Sequence, residues 1–174
     1  VVIAAAGRTF IAGADITEFN KPPVPPTTID VIEVIDAMPK PVVAALHGTP
    51  LGGGLEVALG CHFRVAAPGT RLGLPEIKLG LMPGAGGTQR LPRLVGMDKA
   101  MAMILSGDPI DADDALKSGL VDEIASGELL PAAIAFAKNV LATRKPLSRA
   151  RDREDKLKEL RANPAKFDEM AAPY

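Results

Sequence analysis

Two six-residue apolar runs, VVIAAA (Val1–Ala6) and PVVAAL (Pro41–Leu46), constrain the fold of this chain more than any other feature. Each is too short to stand as a helix and shows no polar alternation, so both read as strands buried on both faces. Strands of that kind belong to parallel sheets covered by helices. FRVAA at 63–67 reads as a third strand, with RLGL at 71–74 and VDEIA at 121–125 as shorter ones. Helical patterns alternate with them. TTIDVIEVIDAM brings Ile29, Ile32 and Ile35 to near-helical spacing behind a capping Thr, and Leu55–Gly60 opens another helix. GAGGTQRLPRLVG and DKAMAMILSG each run from a small-residue start to a Gly stop, and DADDALKSGL runs from an N-cap at Asp111 to Gly119. Glu128–Thr143 is a long Ala-rich helix, and KPPVPP (Lys21–Pro26) is an extended connector. The order predicts an α/β fold with right-handed crossovers.

Bulk properties narrow the function. A length of 174 residues with 47% hydrophobic content suits one domain with a true core. A net charge of −1 gives no electrostatic reason for nucleic acid or an anionic membrane as partner, and 3% aromatic content without Trp gives no stacking platform. The single cysteine, Cys61, allows no internal disulfide and fits a reducing compartment. No apolar run reaches the roughly 18 residues of a membrane span. The chain opens on an apolar strand without an initiator Met, as expected of a piece of a longer protein or a processed one.

Three glycine-rich loops could hold a ligand: AGAD (12–15), LGGG (51–54) and PGAGG (83–87). None completes a Walker or a dinucleotide fingerprint. Taken singly, such glycines serve tight turns and close packing. Taken together, two follow strands and one opens a helix with free N–H groups, an arrangement that suits a developing oxyanion better than a phosphate. Two carboxylates lie nearby in sequence, Glu56 in the first turn of an apolar helix and Glu76 after Pro75. Either alone is a helix-start carboxylate. As a pair among apolar neighbours they match general acid and base chemistry, in which burial sets the two roles. Asp15 reads as a loop anchor. His47 and His62 lack a third ligand for a metal, and Cys61 lies inside an apolar helix rather than at its positive end. PPVPP has the spacing of a proline-rich docking motif, but one short run inside a domain reads as a rigid connector.

FIAGADITEF, HGTPLGGGLEVALGC and LPEIKLGLMPGAGGTQRLPRLVG, in that order, resemble the enoyl-CoA hydratase (crotonase) family from Val1 to about Ala142. The resemblance implies the crotonase-like spiral of ββα units with a helical C-terminal part. It implies an oxyanion hole from the N–H groups of Ala14 and Gly53, with Glu56 and Glu76 as the catalytic glutamates. It makes Ala12, Ala14, Asp15, Ile16, Thr17 and Gly53 substrate-binding positions, and Gly84 a backbone position beside the catalytic water. With both glutamates present, the implied activity is syn hydration of a 2-trans-enoyl-CoA to the 3-hydroxyacyl-CoA in β-oxidation. The alternatives are an enoyl-CoA isomerase and a catalytically incomplete scaffold.

The same resemblance divides the chain into a crotonase core at 1–142, shorter at its N-terminus than the family's usual core, and a charged helical extension or linker at 143–174. That tail, SRARDREDKLKELRANPAKFDEM, reads as a solvated helix or one awaiting a partner surface. It resembles the stretch leading out of the hydratase region in multifunctional fatty-acid oxidation enzymes, where a 3-hydroxyacyl-CoA dehydrogenase part follows. The expected partner is an acyl-CoA thioester, with CoA as part of the substrate and no separate cofactor, no metal, no nucleic acid and no membrane. Self-association into a trimer or hexamer, or a fused dehydrogenase region, is expected, in a bacterial cytoplasm or an organellar matrix. The far wall of the acyl pocket is expected from Asn20–Thr28.

Overall fold

The computed structural model describes residues 1–18 and 21–173. Its centre is a parallel sheet of β1 (Val2–Ile3), β2 (Val43–Leu46), β3 (Phe63–Ala66) and β6 (Glu123–Ile124), in the order β1-β2-β3-β6. β2 and β3 pair in register from Val43 opposite Phe63 to Leu46 opposite Ala66. A separate antiparallel pair joins β4 (Arg71–Leu72) to β5 (Ile110–Asp111).

The unbroken apolar runs have a simple origin. Side chains alternate across a sheet, and here both faces are covered. Val43, Ala45, Phe63 and Val65 face α6 (Leu129–Ala142), where Phe136 meets Phe63 edge to face at 5.6 Å between ring centres. Ala44, Leu46 and Ala66 face the opposite layer, built from α1 (Thr28–Ala37), α2 (Gly53–Gly60) and α3 (Gly87–Val95). Arg64 points into that second layer and is 1% exposed. Its guanidinium donates to the carbonyls of Leu120 and Cys61 at 2.7 and 2.8 Å and lies 3.5 Å from Asp122 Oδ2. Burial holds its pKa below the ordinary arginine value, with Asp122 opposing the shift. The polar letter inside FRVAA is therefore a fully paired core residue.

Local signals place most helices where the sequence predicts them. Thr27 and Asp30 form a reciprocal capping box at the start of α1. After α4 (Met97–Ser106), Asp111 caps α5 (Ala112–Ser118) through the Asp114 N–H at 2.8 Å. Several expectations change: RLGL and VDEIA pair only over Arg71–Leu72 and Glu123–Ile124, and Cys61 caps the end of α2 rather than lying inside it. The strand expected over Val1–Ala6 narrows to Val2–Ile3, which are only half-buried, because β1 is the edge strand and pairs with β2 alone. α2 starts at Gly53, two residues before Leu55.

The tail is not one solvated helix. It forms a short 3₁₀ turn (Ala150–Asp152), then α7 (Lys158–Ala162) and α8 (Ala165–Ala171), with Pro164 between the two helices. It also docks: Ala150 and Leu157 are buried, and Arg149 donates to the carbonyls of Asp36 and Met38 at the end of α1. Those carbonyls lack helical partners, and the guanidinium satisfies them. No described helix is long and apolar enough to cross a membrane.

Candidate active site

A cavity of about 550 Å³ opens where the AGAD loop, the start of α2, the 3₁₀ turn Pro75–Leu79 and the loop that follows it meet. Ala12, Ala14, Gly53, Glu56, Glu76 and Gly84 all line it. Segments separated by tens of residues thus meet in one place.

The three glycines of LGGG have three different reasons. Gly52 has φ +51°, a region that disfavours any Cβ, and a Cβ there would also lie 3.2 Å from Glu76 Oε1. On Gly54 a Cβ would fall 2.1 Å from the Ile11 carbonyl oxygen, so this residue lets the AGAD segment pack against α2. Gly53 alone has room. The nearest atom to a Cβ there is Ala14 N at 3.7 Å. Ala14 N therefore borders the open space over Gly53, and neither the Ala14 nor the Gly53 N–H has a backbone partner among the described residues. Gly53 is also the first residue of α2, where the helix N-terminus adds partial positive charge.

The two glutamates differ in surroundings. Glu56 is 3% exposed, and its Oε1 accepts from Ala85 N at 2.7 Å and Gly87 N at 2.8 Å, the amides that open α3. Gly86 between them has φ +100°, which turns both amides to the same acceptor. With Oε1 occupied, Oε2 is the atom that can meet a ligand. Glu76 has no such cradle, and its Oε2 is buried without a partner among the described residues. Burial raises the Glu76 pKa above its ordinary value, and the negative charge of Glu56 raises it further, against one backbone hydrogen bond that lowers it. The site thus holds one carboxylate fixed as an acceptor and a second whose proton affinity is increased. The Ala14 and Gly53 N–H groups beside them have no backbone acceptor among the described residues.

Not every expected residue joins this cavity. The Asp15 carboxylate turns back on its own loop, accepting from the Thr17 N–H at 2.9 Å and the Thr17 hydroxyl at 2.8 Å. Those bonds hold its pKa below the ordinary value. Asp15 and Thr17 thus shape the loop that presents Ala14. Ile16 lies in the 3₁₀ turn Ile16–Glu18, and its side chain falls outside the described residues. Of the expected far wall, Asn20 is also outside them, whereas Pro23, Thr27 and Thr28 do line the cavity. Sequence reading missed Ile29, Leu79, Leu81 and Met82, which complete an apolar wall, and the Ala85 and Gly87 amides that hold Glu56. The helix-start pattern GAGG carried the signal for those amides, but nothing local linked it to Glu56.

The residues considered for other chemistry are engaged in structure. His62 Nδ1 accepts from Val42 N at 3.1 Å, and His47 Nε2 pairs with the Gly7 carbonyl at 3.2 Å. Burial pushes the Cys61 thiol up to about 12, far from a reactive thiolate. Among the described residues no group of three His, Cys, Asp or Glu is placed to hold a metal ion.

Comparison with known proteins follows the same lines. The sequence model of the family described as Enoyl-CoA hydratase/isomerase matches residues 1–166. The chain is 47% identical over 151 residues to the peroxisomal bifunctional enzyme of Danio rerio, covering 87% of this chain and 21% of that one. It is 44% identical over 170 residues to a glyoxysomal fatty acid beta-oxidation multifunctional protein of Cucumis sativus, covering 92% of this chain and 23% of that one. The chain therefore spans about a fifth of the length of these curated relatives. Among solved structures, the enoyl-CoA hydratase of Bacillus anthracis superposes with a TM-score of 0.74 at 34% identity, over 99% of this chain and 69% of that one.

Proposed function

Because this chain belongs to the enoyl-CoA hydratase/isomerase family, we propose that its cavity hydrates 2-trans-enoyl-CoA thioesters. The observation that carries this reading is that Ala14, Gly53, Glu56 and Glu76 line one cavity, with Ala14 N beside the open space over Gly53.

A thioester oxygen seated between the two N–H groups can accept the charge of an enolate as water adds to the conjugated double bond. Each such donor contributes about a hundredfold to a thousandfold in rate. Glu56, fixed through Oε1, orients the water with its other oxygen. Glu76, with its raised proton affinity, carries the proton. The water oxygen bonds to C3 while its proton reaches C2 through Glu76 on the same face, so both carboxylates return to their starting state. No redox change occurs. We therefore assign no cofactor, and CoA enters as part of the substrate. Movement of a double bond from the 3- to the 2-position needs the same enolate and one proton carrier, which makes it a side activity of this site.

The tail and the relatives support a further reading, in which the chain is the hydratase part of a multifunctional β-oxidation enzyme in a peroxisomal or glyoxysomal matrix. Trimeric or hexameric association is expected from the resemblance and is read by sedimentation. The activity itself is tested with crotonyl-CoA. Hydration is expected to abolish the enoyl-thioester absorbance and to yield the 3-hydroxy product. Binding without loss of absorbance would favour the scaffold reading.

A further inference from the structure

A buried ion pair behind the active site connects α1 to the loop that holds Glu56. Asp36, in the last turn of α1, is 1% exposed, and its Oδ2 lies 2.9 Å from Arg90 Nη2 on α3. The same Arg90 reaches the turn before its helix. Its Nη1 lies 3.5 Å from the Ala85 carbonyl oxygen, and a Cβ on Gly86 would fall 2.2 Å from that nitrogen. The guanidinium therefore lies against Gly86, between the two residues whose amides grip Glu56 Oε1. A further guanidinium, Arg151 from the tail, stands 3.5 Å from the same Asp36 oxygen.

Stability is a weak reason for this arrangement. Buried ion pairs contribute little net stability even when every polar atom is satisfied. Here Asp36 Oδ1 and Arg90 Nε are buried without partners among the described residues. An incompletely satisfied pair is costly, and a function for its geometry accounts for its presence better than a stabilising role does.

We infer that Asp36 and Arg90 are positioning residues, which fix the Ala85–Gly87 turn so that its two N–H groups hold Glu56 in place against the substrate water. Arg90 suits this through its planar fork, which meets the carboxylate on one side and covers a glycine turn on the other; the ammonium of lysine cannot do both. The inference rests on the reading of Glu56 as the water-orienting group.

The test compares Arg90→Lys and Asp36→Asn in the full chain by amide hydrogen exchange and by kinetics. Exchange at Ala85 and Gly87 is expected to rise at least about tenfold, while amides of the central strands stay protected. The hydration kcat is expected to fall about tenfold to a hundredfold with KM nearly unchanged, as for a misplaced catalytic group. Against Glu56→Gln the loss is expected to vanish, because residues acting through one another are not additive. Asp36→Asn preserves side-chain volume and carries the test if Arg90→Lys does not fold. Unchanged exchange at Ala85 and Gly87, or losses that multiply with Glu56→Gln, would overturn the inference while leaving the role of Glu56 intact. Full activity of Glu56→Gln itself would overturn both.

Discussion

At the scale of single residues, Glu56 and Glu76 carry identical side chains and differ only in their surroundings, and the roles proposed for them rest on that difference. Two amides hold one, and burial without a partner raises the proton affinity of the other. This asymmetry has a consequence for stability. A carboxyl whose native pKa lies above its unfolded value near 4.5 binds its proton more tightly when folded, so folding stability falls as pH rises from there through the native pKa. Glu76 is then a net liability at neutral pH relative to an uncharged side chain of the same shape. Glu76→Gln is expected to raise the melting temperature at about pH 7, and the gain is expected to disappear by about pH 4, where both forms are uncharged. An equal gain at both values would assign the effect to packing instead.

Elements, rather than residues, decide what the glycines do. The AGAD loop and the start of α2 approach so closely that Gly54 faces a carbonyl oxygen, while Gly53 faces open space and a free N–H. Gly54→Ala is expected to destabilise the fold by about 2 kcal/mol or more, since backbone must move to admit a methyl group. Gly53→Ala is expected to unfold near the wild-type temperature but to lose about a hundredfold in hydration rate, as the methyl intrudes between the two donors. Thermal unfolding and crotonyl-CoA turnover separate the two, and equal stability losses would contradict the distinction. The sequence made part of this legible. β2, the capped start of α1 and the cap at Asp111 all rest on signals within a few residues, and they stand where expected. Edge and centre were not legible for β1, because a strand's place in the sheet depends on pairing with segments far along the chain. The start of α2 was missed because glycines read as breakers until their contact with Ile11 is known.

Across the whole molecule, long-range contacts tie the site to the body of the fold. The charges of the tail read as a solvated face, yet Arg149 reaches carbonyls at the end of α1, 113 residues earlier in sequence for Asp36. Composition cannot show such a target. Arg149→Met is expected to cost about 1–3 kcal/mol in denaturant unfolding, because two partly buried carbonyls lose their donor. It is also expected to increase exchange in the last turn of α1, and unchanged stability would mean that the tail merely rests there. The residues proposed for catalysis, by contrast, were legible as types and spacings, but their meeting in one cavity depends on the parallel sheet and the close packing of α2. The role proposed for Glu76, carrying the proton in hydration at this cavity, stands or falls on Glu76→Gln assayed with crotonyl-CoA. Turnover is expected to fall about a thousandfold or more, with acyl-CoA binding within a few-fold of wild type. Hydration at an undiminished rate in that variant would contradict it.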